Sequence, residues 1–102
     1  MIPLATQTYI KIKREVLSTE QNQIEEKRTI FMYPDKIVTK HHEFLMKDVL
    51  DISYRKIESG GNLGILYIHT IGGLYPYTIK SSPNEFIDAF KMQKNKQNND
   101  RL

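Results

Sequence analysis

The chain has no cysteine, so neither a disulfide framework nor a thiolate zinc site is available to it, and a small secreted scaffold stapled by bridges is excluded. It has no apolar run approaching the ~20 residues of a membrane-spanning helix. The opening MIPLATQTYIKIKREV lacks the basic start and apolar centre of a signal peptide. Together these absences predict a soluble chain with a cytoplasmic address. Reaction signatures are missing too: there is no Gly-x-Ser-x-Gly elbow, no His-Glu-x-x-His, and the glycines do not fall in the GxxxxGK[ST] order of a phosphate loop. The sequence therefore predicts no enzyme, cofactor or metal centre.

What is present fits one domain, because 102 residues cannot supply two interiors and bury only about two-thirds of the unfolded surface in one. The formal net charge of +3 invites a nucleic-acid partner. Its location argues against one: the closing KMQKNKQNNDRL carries four cations against Asp100, leaving residues 1–90 balanced. Basicity belongs to a tail, expected to be disordered over 94–102, rather than to a globular face.

The body reads as strands. YIKIKREV alternates with period two, Ile10 and Ile12 on one face and Tyr9, Lys11 and Lys13 on the other. The polar LSTEQNQIEE that follows has no periodicity and reads as a long loop or a frayed hairpin end. KRTIFMY and KIVTK flank a reverse turn at YPDK. A short strand and a corner at Lys47-Asp48 precede DISYRK, where Leu50, Ile52, Tyr54 and Lys56 are expected to share a face. After the turn ESGGNLG, ILYIHT and LYPYTIK flank IGG as the clearest hairpin. Pro76 cannot donate a ladder hydrogen bond, so it should lie at an edge or a bulge. SSPNEFIDAFKMQ is a helix start: Ser82 caps, Pro83 takes the first position, and Glu85 completes a capping box ahead of Phe86, Ile87 and Phe90.

Seven short strands and one capped amphipathic helix, with DVLDISYRK and GILYIHTIGGLYPYTIKSSPNEFIDAF in that order, resemble the small bacterial PH-like domains of the pleckstrin-homology superfold. The resemblance spans roughly residues 26–93. It implies a mainly β domain over 1–93, with residues 1–8 as an N-terminal arm: a partly open barrel of about seven antiparallel strands closed at one end by the helix. It also implies a non-enzymatic module that binds proteins, peptides or anionic headgroups.

Candidate residues follow from that reading. Lys11, Lys13, Arg14, Lys27 and Arg28 lie where the family's headgroup site would, although Lys27 and Arg28 are adjacent rather than alternating and follow Glu25-Glu26. Tyr67, His69, Tyr75, Pro76 and Tyr77 make a candidate interaction surface on the last hairpin. His69 lacks an accompanying catalytic set, and a structural or surface role is expected for it. His41, His42 and Glu43 suggest a metal patch, but neighbouring residues of an extended segment point to opposite faces, which favours a solvated loop. The tyrosines read as cross-strand pairs rather than a nucleic-acid platform, since their hairpin supplies only Lys80. The expected partner is a protein or peptide. A small-ligand barrel using His69 and its tyrosine neighbours is the competing reading, membrane contact would be peripheral at most, and homo-oligomerisation is left open.

Overall fold

A computed structural model describes the backbone of residues 2–17, 20–57 and 63–99 and the side chains of residues 2–11, 25–57 and 63–96. Strands β1 (Ala5–Leu17) and β2 (Glu20–Met32) form a long hairpin, and β3 (Lys36–Val38) and β4 (Glu43–Leu45) a short one. A 3-10 turn at Met46–Asp48 then leads into β5 (Val49–Lys56), β6 (Gly64–Thr70) and β7 (Gly73–Ile79), and the helix α1 (Asn84–Asn99) follows. All seven strands belong to one antiparallel sheet in the order β4-β3-β2-β1-β7-β6-β5. The fold is mainly β with one C-terminal helix; the sheet remains open, with β4 and β5 as its edges, and does not close into a barrel.

Alternation decides which face is covered. Ile30 and Met32 of β2, Ile37 of β3, Phe44 of β4, Leu66 and Ile68 of β6 and Ile79 of β7 point to one side and are buried. Phe86 and Phe90, one helical turn apart on α1, fill that side as well, each about 2% exposed or less. The sheet curls around this core. Phe44 of β4 lies 4.8 Å from Tyr75 of β7, ring centre to ring centre, although those strands are four places apart in the sheet order. A flat sheet at about 4.8 Å per strand would hold them nearly 20 Å apart.

Local chemistry sets the boundaries. At YPDK, Tyr33 and Lys36 exchange backbone hydrogen bonds and close the β2–β3 turn. Gly73 opens β7 at a φ of 142°, a conformation that side chains with a Cβ rarely adopt. The Asn84 N–H reaches the Ser82 hydroxyl at 3.4 Å, and the Ile87 N–H donates to the Pro83 carbonyl at 2.9 Å. Serine thus covers a free donor while proline sits where its missing N–H costs nothing.

Three expectations are corrected. Of the two readings of LSTEQNQIEE, the hairpin end holds and the long loop does not: apart from Ser18-Thr19, which lie outside the described residues, the segment belongs to the β1–β2 ribbon, paired without a break from Ala5↔Met32 to Leu17↔Glu20. Backbone pairing needs no hydrophobic period, so a polar ribbon leaves no side-chain signal. The even alternation proposed for β5 is interrupted by a bulge between Val49 and Asp51, which turns Val49 and Ile52 inward and leaves Leu50 63% exposed. Finally, residues 94–99 are helical rather than disordered. Gln93 and Lys94 anchor that end of α1, donating to the backbone carbonyls of Pro34 at 3.0 Å and Met46 at 2.6 Å. The ESGGNLG turn falls largely on residues 58–62 and lies outside the described residues, though Ile57 N–H to Leu63 C=O, at 2.9 Å, spans it.

Candidate functional site

β1 and β7 pair through one residue couple, Ile10 with Thr78. Pro76 explains why. In unbroken register opposite Tyr67 of β6, it must turn its ring nitrogen away from β6 and toward β1, where the next ladder bond would need an N–H that proline does not have. The two strands part there and open a cleft of about 320 Å³.

The cleft is built by four segments. Tyr9 and Lys11 come from β1, Arg28 from β2, Thr39, His41 and His42 from the β3–β4 turn, and Pro76, Tyr77 and Thr78 from β7. Period two explains the cations: Lys11 follows the buried Tyr9 by two residues, and Arg28 precedes the buried Ile30 by two, so both continue the inward face past the apolar core. Tyr9 and Arg28 are register partners. The Arg28 side chain is 8% exposed, and its Nε donates to Glu26 at 2.7 Å while Nη2 pairs with the same carboxylate oxygen. That leaves guanidinium N–H groups beyond the two held by Glu26, since Arg carries five donors. Lys11 has no ion-pair partner among the described residues. Lys40 also approaches Glu26, at 3.6 Å.

The aromatic wall is made by Tyr9 and Tyr77 in edge contact at 5.0 Å and by His42, stacked on Phe44 at 5.7 Å and tilted against Tyr75 at 5.2 Å. Thr39 ties the turn together: its hydroxyl accepts the His42 N–H at 3.1 Å and donates to the His42 carbonyl at 3.4 Å. With Thr39 so engaged by His42, its contact with the buried Tyr77 hydroxyl is too poorly aligned to count as a full hydrogen bond, and among the described residues that hydroxyl has no well-formed one. Burial pushes the Tyr77 phenol above its ordinary value, opposed in part by the Thr39 hydroxyl nearby. His41 titrates below the ordinary imidazole value. Local desolvation at the cleft wall is the first cause, although the ring is solvent-exposed, and the charges of Arg28, Lys40, Lys11 and His42 follow. Those charges mark a positive potential.

No family model, curated protein or solved structure matches the chain. The arrangement is therefore read on its own chemistry.

Of the residues singled out in the sequence, Lys11 and Arg28 meet Pro76 and Tyr77 in the cleft. Lys27 has the opposite parity on β2 and does not line this cleft; it lies with Phe31 and Val38 in a second, shallower one, to which Arg28 and Thr39 also contribute. The side chains of Lys13 and Arg14 lie outside the described residues. The proposed hairpin surface divides: Tyr75 and Tyr77 oppose the buried Ile68 and Leu66 on the inner face, whereas Tyr67 and His69 alternate with those two on β6 and face outward. His69 does have a partner, for its Nε2 lies 2.7 Å from the Ser53 hydroxyl across β5–β6. Among the described residues no group of three His, Cys, Asp or Glu side chains is placed to hold a metal ion. His41 and His42 thus enter as cleft residues. Sequence reasoning missed them in that role, together with Thr39 and Tyr9, because it weighed HHE only as a metal patch; the available signal was that KIVTK returns beside the strand holding Arg28.

Proposed function

We propose that this chain is a non-enzymatic, PH-like binding module of the bacterial cytoplasm that recognises an acidic segment of a protein or peptide partner at the β1–β7 cleft. One observation carries the reading: where Pro76 ends the β1–β7 ladder, a deeply buried arginine and a lysine with no ion-pair partner among the described residues converge on a solvent-open cleft. Buried cations are costly unless something completes their hydrogen bonding. The strand order and C-terminal helix support the PH-like assignment, because they match the order of elements on which the resemblance rests.

A surface-spread headgroup site is less favoured, since Lys27 lies on the opposite face of the β1–β2 ribbon from Lys11 and shares only a second cleft with Arg28. No helix among the described residues is long and apolar enough to cross a membrane. A small-ligand reading centred on His69 is disfavoured because its ring faces outward onto Ser53, away from the tyrosine-lined cleft. The test is a peptide array of acidic, basic and apolar segments probed with the full chain. Acidic peptides should be retained selectively, and Lys11→Glu should abolish that selectivity; retention indifferent to peptide charge, or to Lys11→Glu, refutes the proposal.

A further inference from the structure

We infer that the outer edge of β2 is a self-association surface, on which a second copy of this chain lays its own β2 antiparallel, two-fold related and centred on Ile24. The two β1–β2 ribbons then form one continuous sheet across the pair. This edge lies apart from the β1–β7 cleft, and the pairing does not depend on what the cleft binds.

β1 and β2 stay paired from Ala5↔Met32 to Leu17↔Glu20, but neighbouring strands cover little of that length. β7 meets β1 at Ile10, and β3 meets β2 at Phe31 and Met32. Among the described residues, the stretch Glu20–Ile30 therefore has β1 on one side and no strand on the other. A two-stranded ribbon by itself is marginal in water, and further strands stabilise it. The free backbone groups can be assigned. Tyr33 exchanges hydrogen bonds with Lys36 of β3, whereas the Met32 carbonyl accepts from Leu4 on the β1 side. Alternation then directs odd-numbered residues of β2 toward β3 and even-numbered ones toward β1. Gln21, Gln23, Glu25, Lys27 and Thr29 thus turn N–H and C=O outward along the uncovered stretch. Natural sheets blunt such edges with proline, a bulge or unpaired charge. This edge has no proline and an unbroken register. Two of its acids are neutralised within the chain: Glu25 by Lys80 at 2.6 Å, and Glu26 by Arg28 and Lys40.

A second copy fits this edge because charge selects one arrangement. Two-fold symmetry requires β2 to meet β2, or β1 to meet β1, in a register that opposes residues of like parity. Along β1, a centre on Lys11, Lys13, Arg14 or Glu15 opposes that residue to itself, and a centre on Ile12 opposes Lys11 to Lys13; like charges so placed repel. Along β2, centres on Glu25, Glu26, Lys27 or Arg28 fail in the same way, and a centre on Gln23 opposes Glu20 to Glu26. A centre on Ile24 does none of this. It sets Ile24 against Ile24 at the axis, Gln23 against Glu25, Gln21 against Lys27, and Glu20 against Arg28. Lys40, which reaches Glu26 at 3.6 Å, adds positive charge where the second copy brings Glu20. The outward couples of this register exchange about eight ladder hydrogen bonds, and a centre on Asn22 would halve them. Two-fold pairing uses the same edge of both copies and stops at two, whereas β1 against the β2 of a next copy would run on into a filament.

The test is sedimentation velocity on the full chain from about 10 µM to about 1 mM, the range in which a small, reversible interface shows itself. The mass should climb from the 12.0 kDa of one chain toward twice that value. Gln23→Pro removes an outward N–H and leaves the β1 ladder whole, as proline on an edge strand can. It should weaken association at least about tenfold, while amides in β5, β6 and β7 keep their NMR shifts. Because the chain has no cysteine, one introduced thiol reports the register independently of the proline. Ile24→Cys sets two thiols at the axis, where facing Cα atoms lie about 4.5 Å apart and within disulfide reach, and should oxidise to a covalent dimer. Asn22→Cys, about 14 Å from its counterpart, should do so at least about tenfold more slowly. Monomer mass at every concentration, a dimer indifferent to Gln23→Pro, equal oxidation at positions 22 and 24, or mass growing past the dimer would each overturn the inference.

Discussion

Replacing Tyr77 by phenylalanine should stabilise the protein. The ring is half-buried and meets Tyr9 edge-on at 5.0 Å, a contact that Phe keeps, so packing nearly cancels in the comparison. What changes is one hydroxyl, buried and, among the described residues, without a well-formed hydrogen bond. Leaving such a group unsatisfied costs about 1–3 kcal/mol. The low end applies here because the Thr39 hydroxyl gives it partial compensation, so a gain of about 1 kcal/mol is expected, or roughly 4–8 °C in Tm for a domain near this size. The phenol adds a pH signature. Its folded pKa lies above the ordinary value, so the unfolded chain releases this proton first as pH rises. The stability tied to the neutral phenol is therefore present below about pH 10 and lost above it, and Tyr77→Phe should flatten that alkaline decline. Urea denaturation of both forms at pH 7 and pH 10.5 measures the two effects together. A variant less stable than the parent by 1 kcal/mol or more at pH 7 would refute the reasoning, since it would mean that the hydroxyl makes a bond in the folded protein.

Other perturbations reach the rest of the fold. A Cβ added at Gly64 would collide with the Tyr54 ring, but Tyr54 is 37% exposed and can swing away. Gly64→Ala should therefore cost about 1–2 kcal/mol, in the range for overpacking, and Gly64→Ala in a Tyr54→Ala background much less, as a double-mutant denaturation cycle would show. Phe90→Ala empties a position that α1 packs at 2% exposure and should lose about 3–5 kcal/mol; a loss under 1 kcal/mol by chemical denaturation would mean the helix does not seal the sheet. Gly73→Ala forces a side chain into φ 142°, with an expected penalty of about 1–3 kcal/mol that Gly72→Ala, whose added Cβ meets only the Thr70 hydroxyl at 3.8 Å, should not share. Without ligand, His41 makes the fold less stable in acid, because its folded pKa lies below the unfolded one: its contribution is present above about pH 6.5 and is lost as pH falls through the lowered value. Thermal melts at pH 7.5 and 5.5 should show a smaller drop for His41→Gln; identical drops with and without His41 would contradict the assigned field.

Much of the β architecture was legible in residues 26–93 because one face there is apolar and the other wet. The turn at YPDK, the corner at Lys47-Asp48, the hairpin around IGG and the Ser82-Pro83 helix start each rest on chemistry within four or five residues of chain, which a sequence displays directly. Segments without such local demands were opaque: the polar β1–β2 ribbon is held by backbone pairing, and the far end of α1 by Gln93 and Lys94 reaching carbonyls more than 45 positions away. The cleft lies between these extremes. Sequence alone determined that Pro76 could not donate to a ladder, but the edge or bulge expected for it is not found, since β7 lies between β1 and β6 with an unbroken register to β6; the family resemblance had put Lys11 and Arg28 in one region. Only the tertiary structure decided that the ladder ended was the one between β1 and β7, that Lys27 faced away, and that His41, His42 and Thr39 formed the opposite rim. The physical reason is curl: sequence fixes the parity of a side chain on its own strand, but which distant strand that face meets depends on how far the whole sheet bends around Phe86 and Phe90.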